Sequence, residues 1–271
     1  LDLYFITPFE LCAPFEEISF LTEDGVRLRG WWLSRRGTNR VVVGFHGRDG
    51  RKDDLIGIGT GLWRAGFNVL LFDFRDRCQS APARRSVGYY ELRDARAAIA
   101  HARGRAPGAL VGLAGYSMGA VVALLAASRD DGVRAIMADS AYASLPRLMG
   151  DTLRRWRLPA CIVRIADLFN RALYGYSFDD LRPVKTIGAV RGRILLVHAD
   201  ADSLIDVSHA HALERAAPPG TELWLCEGAD HCGAYFADRA AYIARVVRFF
   251  DEALPVAKRG RKACKKGREG D

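Results

Sequence analysis

Leu113-Ala114-Gly115-Tyr116-Ser117-Met118-Gly119-Ala120 governs how the rest of the chain is read. Its centre has the spacing G-x-S-x-G, and the chain changes character on either side. Residues 109–114 form a short apolar run of strand type, while 118–128 continue apolar and alanine-rich for the length of a helix. A serine between strand and helix can be held on a sharp, strained turn, with small neighbours that let the two elements approach each other. Its hydroxyl is then presented at the carboxyl edge of a sheet. The helix begins at once, so its N–H groups and dipole face any oxyanion forming at the serine. Ser117 is therefore the expected nucleophile. The alternative is a glycine-rich packing turn that happens to contain serine.

Working outward, residues 109–128 are twenty in a row without a charge, the length of a membrane span. Gly112, Gly115 and Gly119 interrupt them, and a buried strand, turn and buried helix have the same composition. Upstream, 16–21 and 26–33 are β-prone runs joined across Glu23-Asp24-Gly25, a hairpin signal. Residues 41–45 suit a strand buried on both faces, 53–65 a helix, 67–74 a second buried strand, and 91–103 a helix with one apolar stripe. Downstream come strands at 133–138, 193–198 and 221–226, with helices at 207–216 and 237–252. Alternating strands and helices predict an α/β domain over 1–256, a doubly wound and mostly parallel sheet. The alternation lapses at about 140–190, where aromatic residues and arginines point to a helical cap insertion.

Apolar residues make up 49% of the 271-residue chain and charged ones 27%, as expected for a soluble globular enzyme. Of the formal charge of +8, +5 sits in residues 257–271, where seven basic residues face two acidic ones. That stretch reads as a basic, disordered tail, and the body needs no nucleic-acid face to explain its charge. Six scattered cysteines without paired spacing are expected to be reduced and mostly buried. No signal peptide is visible, which fits a soluble, cytoplasmic chain. Membrane contact stays open through the basic tail or through an anchor upstream of Leu1.

A serine nucleophile needs a base, and the base an orienting acid, in the chain order Ser, Asp or Glu, His. Two later strands run into loops of the right kind. One carries Ala199-Asp200-Ala201-Asp202, the other Glu227-Gly228-Ala229-Asp230-His231. His231, in a loop after a strand, is the expected base. His209 and His211 fall on a helix and read as surface residues, His101 ends a helix, and His198 closes a strand as a structural residue. Periodicity does not separate Asp202 from Asp200 or Asp206 as the acid. Oxyanion N–H donors are expected from Met118 and from the loop His46-Gly47-Arg48-Asp49-Gly50.

Other chemistry is weaker. Cys226, Asp230, His231 and Cys232 are metal-ligand types, but no second matching pair accompanies them, so no metal is expected. There is no P-loop or dinucleotide fingerprint, so no cofactor is expected. Cys78 reads as a small turn residue, and Arg48, Arg51 and Lys52 as solvated surface charge.

Taken in order, PFEEISFLTEDGVRLRGWWL, VVVGFHG, FNVLLFDFRDRCQS, LAGYSMGA, RILLVHADADSLIDVSHA and EGADHCGAY resemble the successive motifs of the α/β-hydrolase superfamily, and within it the BEM46-like serine hydrolases. The likeness spans residues 8–250 and is weakest across the cap. It implies that the acid is the last residue of HADAD, Asp202, and that Arg48, after His-Gly, supplies the second oxyanion N–H. The chain departs from the pattern at Ala199, usually glycine, at Asp206, often proline, and at Arg75-Asp76-Arg77-Cys78, usually richer in glycine. The implied function is a serine hydrolase acting on a small-molecule acyl ester or thioester. Alternatives are an amidase or peptidase with the same residues, and a non-catalytic binding protein on the same fold.

Overall fold

The computed structural model describes residues 6–256, so the basic tail at 257–271 lies outside the described residues. Eight strands form one sheet in the order β1-β2-β4-β3-β5-β6-β7-β8. They are β1 (Glu16–Leu21), β2 (Arg27–Leu33), β3 (Arg40–Phe45), β4 (Asn68–Asp73), β5 (Leu110–Tyr116), β6 (Val133–Asp139), β7 (Arg193–Ala199) and β8 (Glu222–Cys226). The β1–β2 and β2–β4 pairings are antiparallel, and the remaining ones are parallel.

Chain order reverses at β3, which lies between β4 and β5. Crossovers on opposite sides of that point put helices on both faces. Along one face lie α2 (Glu91–Arg105) and α3 (Met118–Ala127), packed with Val41, Val43 and Phe45. The other face carries α1 (Ile56–Arg64), whose Leu62 shares a core with Val42 and with Val246 and Phe250 near the chain's end. Adjacent residues of β3 thus serve different cores, the period-two consequence of pleating. All ten residues of α3 are buried. The uncharged stretch of membrane-span length is therefore β5, one turn and α3, and among the described residues no helix is long and apolar enough to cross a membrane.

Between β6 and β7 the chain makes α4 (Leu145–Arg155), α5 (Cys161–Tyr174) and the short α6 (Pro183–Thr186) before rejoining the sheet. Ser144 caps α4 by accepting from the Arg147 N–H, with Pro146 in the first turn. After β7 come α7 (Ser208–Ala216), the single turn α8 (Ala234–Ala237) and α9 (Arg239–Ala253), which Asp238 caps at the Ala241 N–H, 2.9 Å away.

Several expectations need correction. Lys52 is not surface charge: it is buried and paired with the wholly buried Asp73 at 2.6 Å, opening a 3-10 turn (Lys52–Leu55) before α1. Among the described cysteines, Cys12, Cys78 and Cys161 are exposed, Cys232 is half-buried and Cys226 is buried, so the thiols are not mostly buried. His209 is fully buried on α7, where the ring replaces solvent with two protein partners. Its Nδ1 accepts from the Ala143 N–H at 3.0 Å, which leaves Nε2 to donate to Asp151 of α4 at 3.1 Å.

Candidate active site

The parallel strands end at one edge, and each delivers a loop to it. At the end of β5, Ser117 has φ +51° and ψ −119°, a left-handed conformation that costs an L-residue energy and aims its side chain off the sheet. The flanking glycines make this turn sterically possible. A Cβ on Gly115 would lie 2.4 Å from the Gly119 carbonyl oxygen, and one on Gly119 would lie 2.2 Å from that of Phe45. The Ser117 N–H donates to the Asp139 carbonyl at 2.8 Å, tying the turn to the end of β6.

His231 reaches this serine from the loop after β8. Its Nε2 is 2.9 Å from Ser117 Oγ, and its Nδ1 is 2.7 Å from Asp202 Oδ2. Asp202, in the loop after β7, has a wholly buried side chain. Burial pushes its carboxyl up, but the His231 hydrogen bond and the Ile205 and Leu204 N–H groups outweigh that, and the net shift is downward. Those N–H groups lie 2.7 and 2.9 Å from Oδ1. An ionised Asp202 only accepts, so the Nδ1 proton belongs to His231 and the Nε2 lone pair faces the serine hydroxyl.

The same geometry separates the three aspartates that periodicity left equivalent. Asp200 Oδ1 accepts from the Gly228 N–H at 2.7 Å, joining the two loops. Asp206 accepts from the Ser208 N–H at 2.9 Å and from its hydroxyl at the start of α7, so it takes the place of a proline as a turn-former. Only Asp202 meets the imidazole among these three.

Arg48 and Met118 line the same cavity as Ser117 and His231. Neither backbone N–H has a hydrogen-bond acceptor among the described residues. The loop carrying Arg48 is held by His46, which is fully buried and kept neutral because burial lowers its pKa. Its Nδ1 donates to the Gly47 carbonyl at 2.6 Å, and its Nε2 accepts from the Phe74 N–H at 3.0 Å. The neighbouring turn has left-handed Asp76 and Cys78, at φ +55° and +41°, which explains why glycine would suit it. Arg75 anchors that turn, buried between Asp94 and Asp24.

Two groups were missed from sequence. Asp230 Oδ1 accepts from both the Ser203 and His231 N–H groups at 2.7 Å, clamping the loop after β7 to the loop after β8. Asp139, wholly buried, accepts from Tyr242 Oη at 2.7 Å and from Ser140 Oγ at 3.0 Å, and burial pushes its pKa up to about 6. His198, expected to be structural, is buried and donates to the Ile205 carbonyl at 2.8 Å, supporting the loop that carries Asp202. A signal for Asp230 existed in its position beside His231. None existed for Asp139, whose partner in α9 is 103 residues away.

Above Ser117 lies a cavity of about 920 Å³, roofed by the cap helices and walled largely by apolar side chains such as Leu145, Leu148, Met149, Val163 and Phe178. That volume is at the upper end of what small-molecule sites occupy, ~300–1,000 Å³.

An eight-stranded, mostly parallel sheet with a glycine-flanked serine at the switch-point edge defines an α/β-hydrolase. The chain belongs to the family described as serine aminopeptidase, S33, whose model matches residues 37–184. It is 27% identical over 250 residues to the uncharacterized protein YqkD of Bacillus subtilis, covering 90% of this chain and 82% of that one. Alpha/beta hydrolase domain-containing protein 17C of Xenopus tropicalis is 26% identical over 203 residues, covering 74% of this chain and 56% of its own length. Among solved structures, the Pyrococcus furiosus esterase Pf2001 superposes with a TM-score of 0.77 at 23% identity, covering 93% of this chain and 96% of the other. These likenesses establish the superfamily and do not separate the BEM46-like branch from its neighbours.

Proposed function

We propose that the protein hydrolyses carboxylic esters or thioesters through an acyl-enzyme intermediate. The observation that carries this reading is the unbroken hydrogen-bond chain from Ser117 Oγ through His231 to Asp202, opening onto an apolar cavity. In this mechanism Ser117 Oγ attacks the acyl carbon while His231 Nε2 takes its proton. Asp202 holds the tautomer and stabilises the imidazolium that forms. The Arg48 and Met118 N–H groups receive the oxyanion, and the protonated His231 returns its proton to the leaving alcohol or thiol. Water, deprotonated by His231, then attacks the acyl-enzyme; the acyl–Oγ bond breaks, His231 returns the proton to Ser117 Oγ, and the acid departs. The substrate is a small acyl ester or thioester, and no cofactor enters the sequence of steps.

The family's name raises peptide cleavage as a second reading. An aminopeptidase needs a free carboxylate for the substrate's ammonium group. Of the carboxylates lining the cavity, Asp49 is paired with Arg48 and Arg77, whereas Asp54 accepts the Arg51 N–H and keeps its charge. The largely apolar wall favours an uncharged acyl group, and Asp54→Asn, which should leave ester turnover unchanged, tests the peptide reading. Ser117→Ala is expected to abolish p-nitrophenyl ester turnover and labelling by a fluorophosphonate. Undiminished labelling of the variant would overturn the nucleophile. A wild-type protein inert to every fluorophosphonate would point instead to a binding protein on this fold.

A further inference from the structure

Large apolar side chains are exposed in a concentrated way on this molecule. Of the fourteen that stand out into solvent among the described residues, seven lie between Trp156 and Tyr174, in the turn from α4 to α5 and along α5. Trp156 is 75% exposed, Leu168 68%, Leu173 65% and Phe169 62%. No residue of α5 is fully buried. Ile165, Leu168, Phe169 and Ala172 recur at the i, i+3, i+4, i+7 spacing that makes one face of a helix, and Ile162, Val163 and Ala166 beside that face line the cavity. A patch of this kind on a soluble domain marks something that covers it.

The charges around the patch say what that is. From Arg147 to Tyr174 there are six arginines and two aspartates, a net +4. Arg154, Arg157, Arg164 and Arg171 are exposed. Arg164 flanks the apolar face of α5, where its stem can lie along it while the guanidinium stays at a polar surface; Arg171, on the same side, is paired with Asp167 at 3.1 Å and bonded to Ser177 at 2.8 Å. Cationic residues bordering Trp, Phe and Leu on a helix that lies flat are the chemistry of binding to an anionic lipid interface. The patch is also continuous with the site. Arg155 bonds to the carbonyl of Ser203, beside Leu204, and exposed Leu204 and Phe236 both line the cavity.

We infer that α5 and the turn before it dock the protein on an anionic bilayer, with the cavity mouth at the lipid surface. The cavity would then receive an acyl chain from the membrane without its crossing water. That second consequence rests on the proposed hydrolase activity, whereas the docking does not.

The test is co-sedimentation with vesicles of phosphatidylcholine, alone or mixed with phosphatidylglycerol. Wild-type protein and Ser117→Ala should bind the mixed vesicles equally, and added salt should weaken both. Leu168→Glu/Phe169→Glu should lose binding by at least about tenfold. Arg157→Gln/Arg164→Gln should lose the preference for phosphatidylglycerol. Cooperative thermal unfolding, not turnover, certifies that each variant is folded, so a failure of the catalytic reading leaves this test intact. Wild-type protein that ignores the mixed vesicles, or a folded Leu168→Glu/Phe169→Glu variant that binds as wild type does, overturns the inference. So does a wild-type dimer in light scattering that this variant converts to monomer, because the face would then belong to a second copy.

Discussion

Replacing Asp202 with asparagine tests the candidate site at its least obvious joint. The side chain keeps its size, and Oδ1 keeps the Ile205 and Leu204 N–H donors at 2.7 and 2.9 Å. Those donors hold the amide oxygen, so the amide NH₂ must stand where Oδ2 stood, 2.7 Å from His231 Nδ1. Two donors cannot face each other. The imidazole then keeps its lone pair on Nδ1 and its proton on Nε2, the atom 2.9 Å from Ser117 Oγ. In that tautomer it cannot take the serine proton, and the expected loss in kcat is about 10⁴-fold, equivalent to about 5.5 kcal/mol of barrier. Initial rates with p-nitrophenyl esters measure it, and thermal unfolding checks the fold. The stability sign follows from the depressed carboxyl: its contribution is present above the unfolded pKa and is lost as pH falls through the folded one. The variant should therefore melt below wild type at neutral pH, with the gap closing in acid. A folded variant that loses less than tenfold in kcat, or an Asp200→Asn variant that loses as much, refutes the assignment.

Three other changes probe the surrounding structure. Gly119→Ala puts a methyl 2.2 Å from a backbone carbonyl that cannot move away without breaking the sheet edge, so it should cost about 3 kcal/mol or more in urea unfolding, or prevent folding. Asp139, with its pKa pushed up to about 6, holds its proton longer in the folded state than in the unfolded chain; its contribution is complete below the unfolded pKa and is lost as pH rises through about 6. Asp139→Asn should accordingly gain on wild type as pH rises, by up to about 3 kcal/mol, and a stability difference that stays flat from pH ~4 to ~8 contradicts this. Asp230→Ala removes the clamp between the loops carrying Asp202 and His231 and, on the proposed mechanism, should lower kcat about tenfold while leaving the melting temperature nearly unchanged, since small misplacements of a base are costly. Unchanged kcat in that variant makes the clamp dispensable.

Much of the fold was legible because its signals are local. The eight strands and the helices that cover them follow from runs of apolar residues and from breaks at Gly, Pro and charged turns, which act over a few residues. The placement of Ser117 and His231 at one edge of the sheet was legible for a related reason, since each follows a strand and so opens at the strand's carboxyl end. His209 and Lys52 were misread because a polar residue in a local pattern looks solvated. Their burial depends on partners 66 and 21 residues away, Ala143 and Asp73. The exposed cysteines show the converse, since small apolar residues are compatible with either side of a surface.

By itself, then, the sequence determined the order of elements, the parallel sheet and the strained serine, because backbone sterics and hydrophobic periodicity operate between near neighbours. Tertiary structure decided which aspartate meets the imidazole and where the cap leaves its apolar face. Asp202 and Asp206 are held by backbone donors in their own loop and at the start of α7, at Leu204, Ile205 and Ser208, but it is contact with residues after β8, Gly228 for Asp200 and His231 for Asp202, that separates their roles in the fold. In the same way α5 is amphipathic in sequence whichever way it turns. Only packing against the cavity shows that Ile162, Val163 and Ala166 face inward and that Leu168 and Phe169 stand exposed.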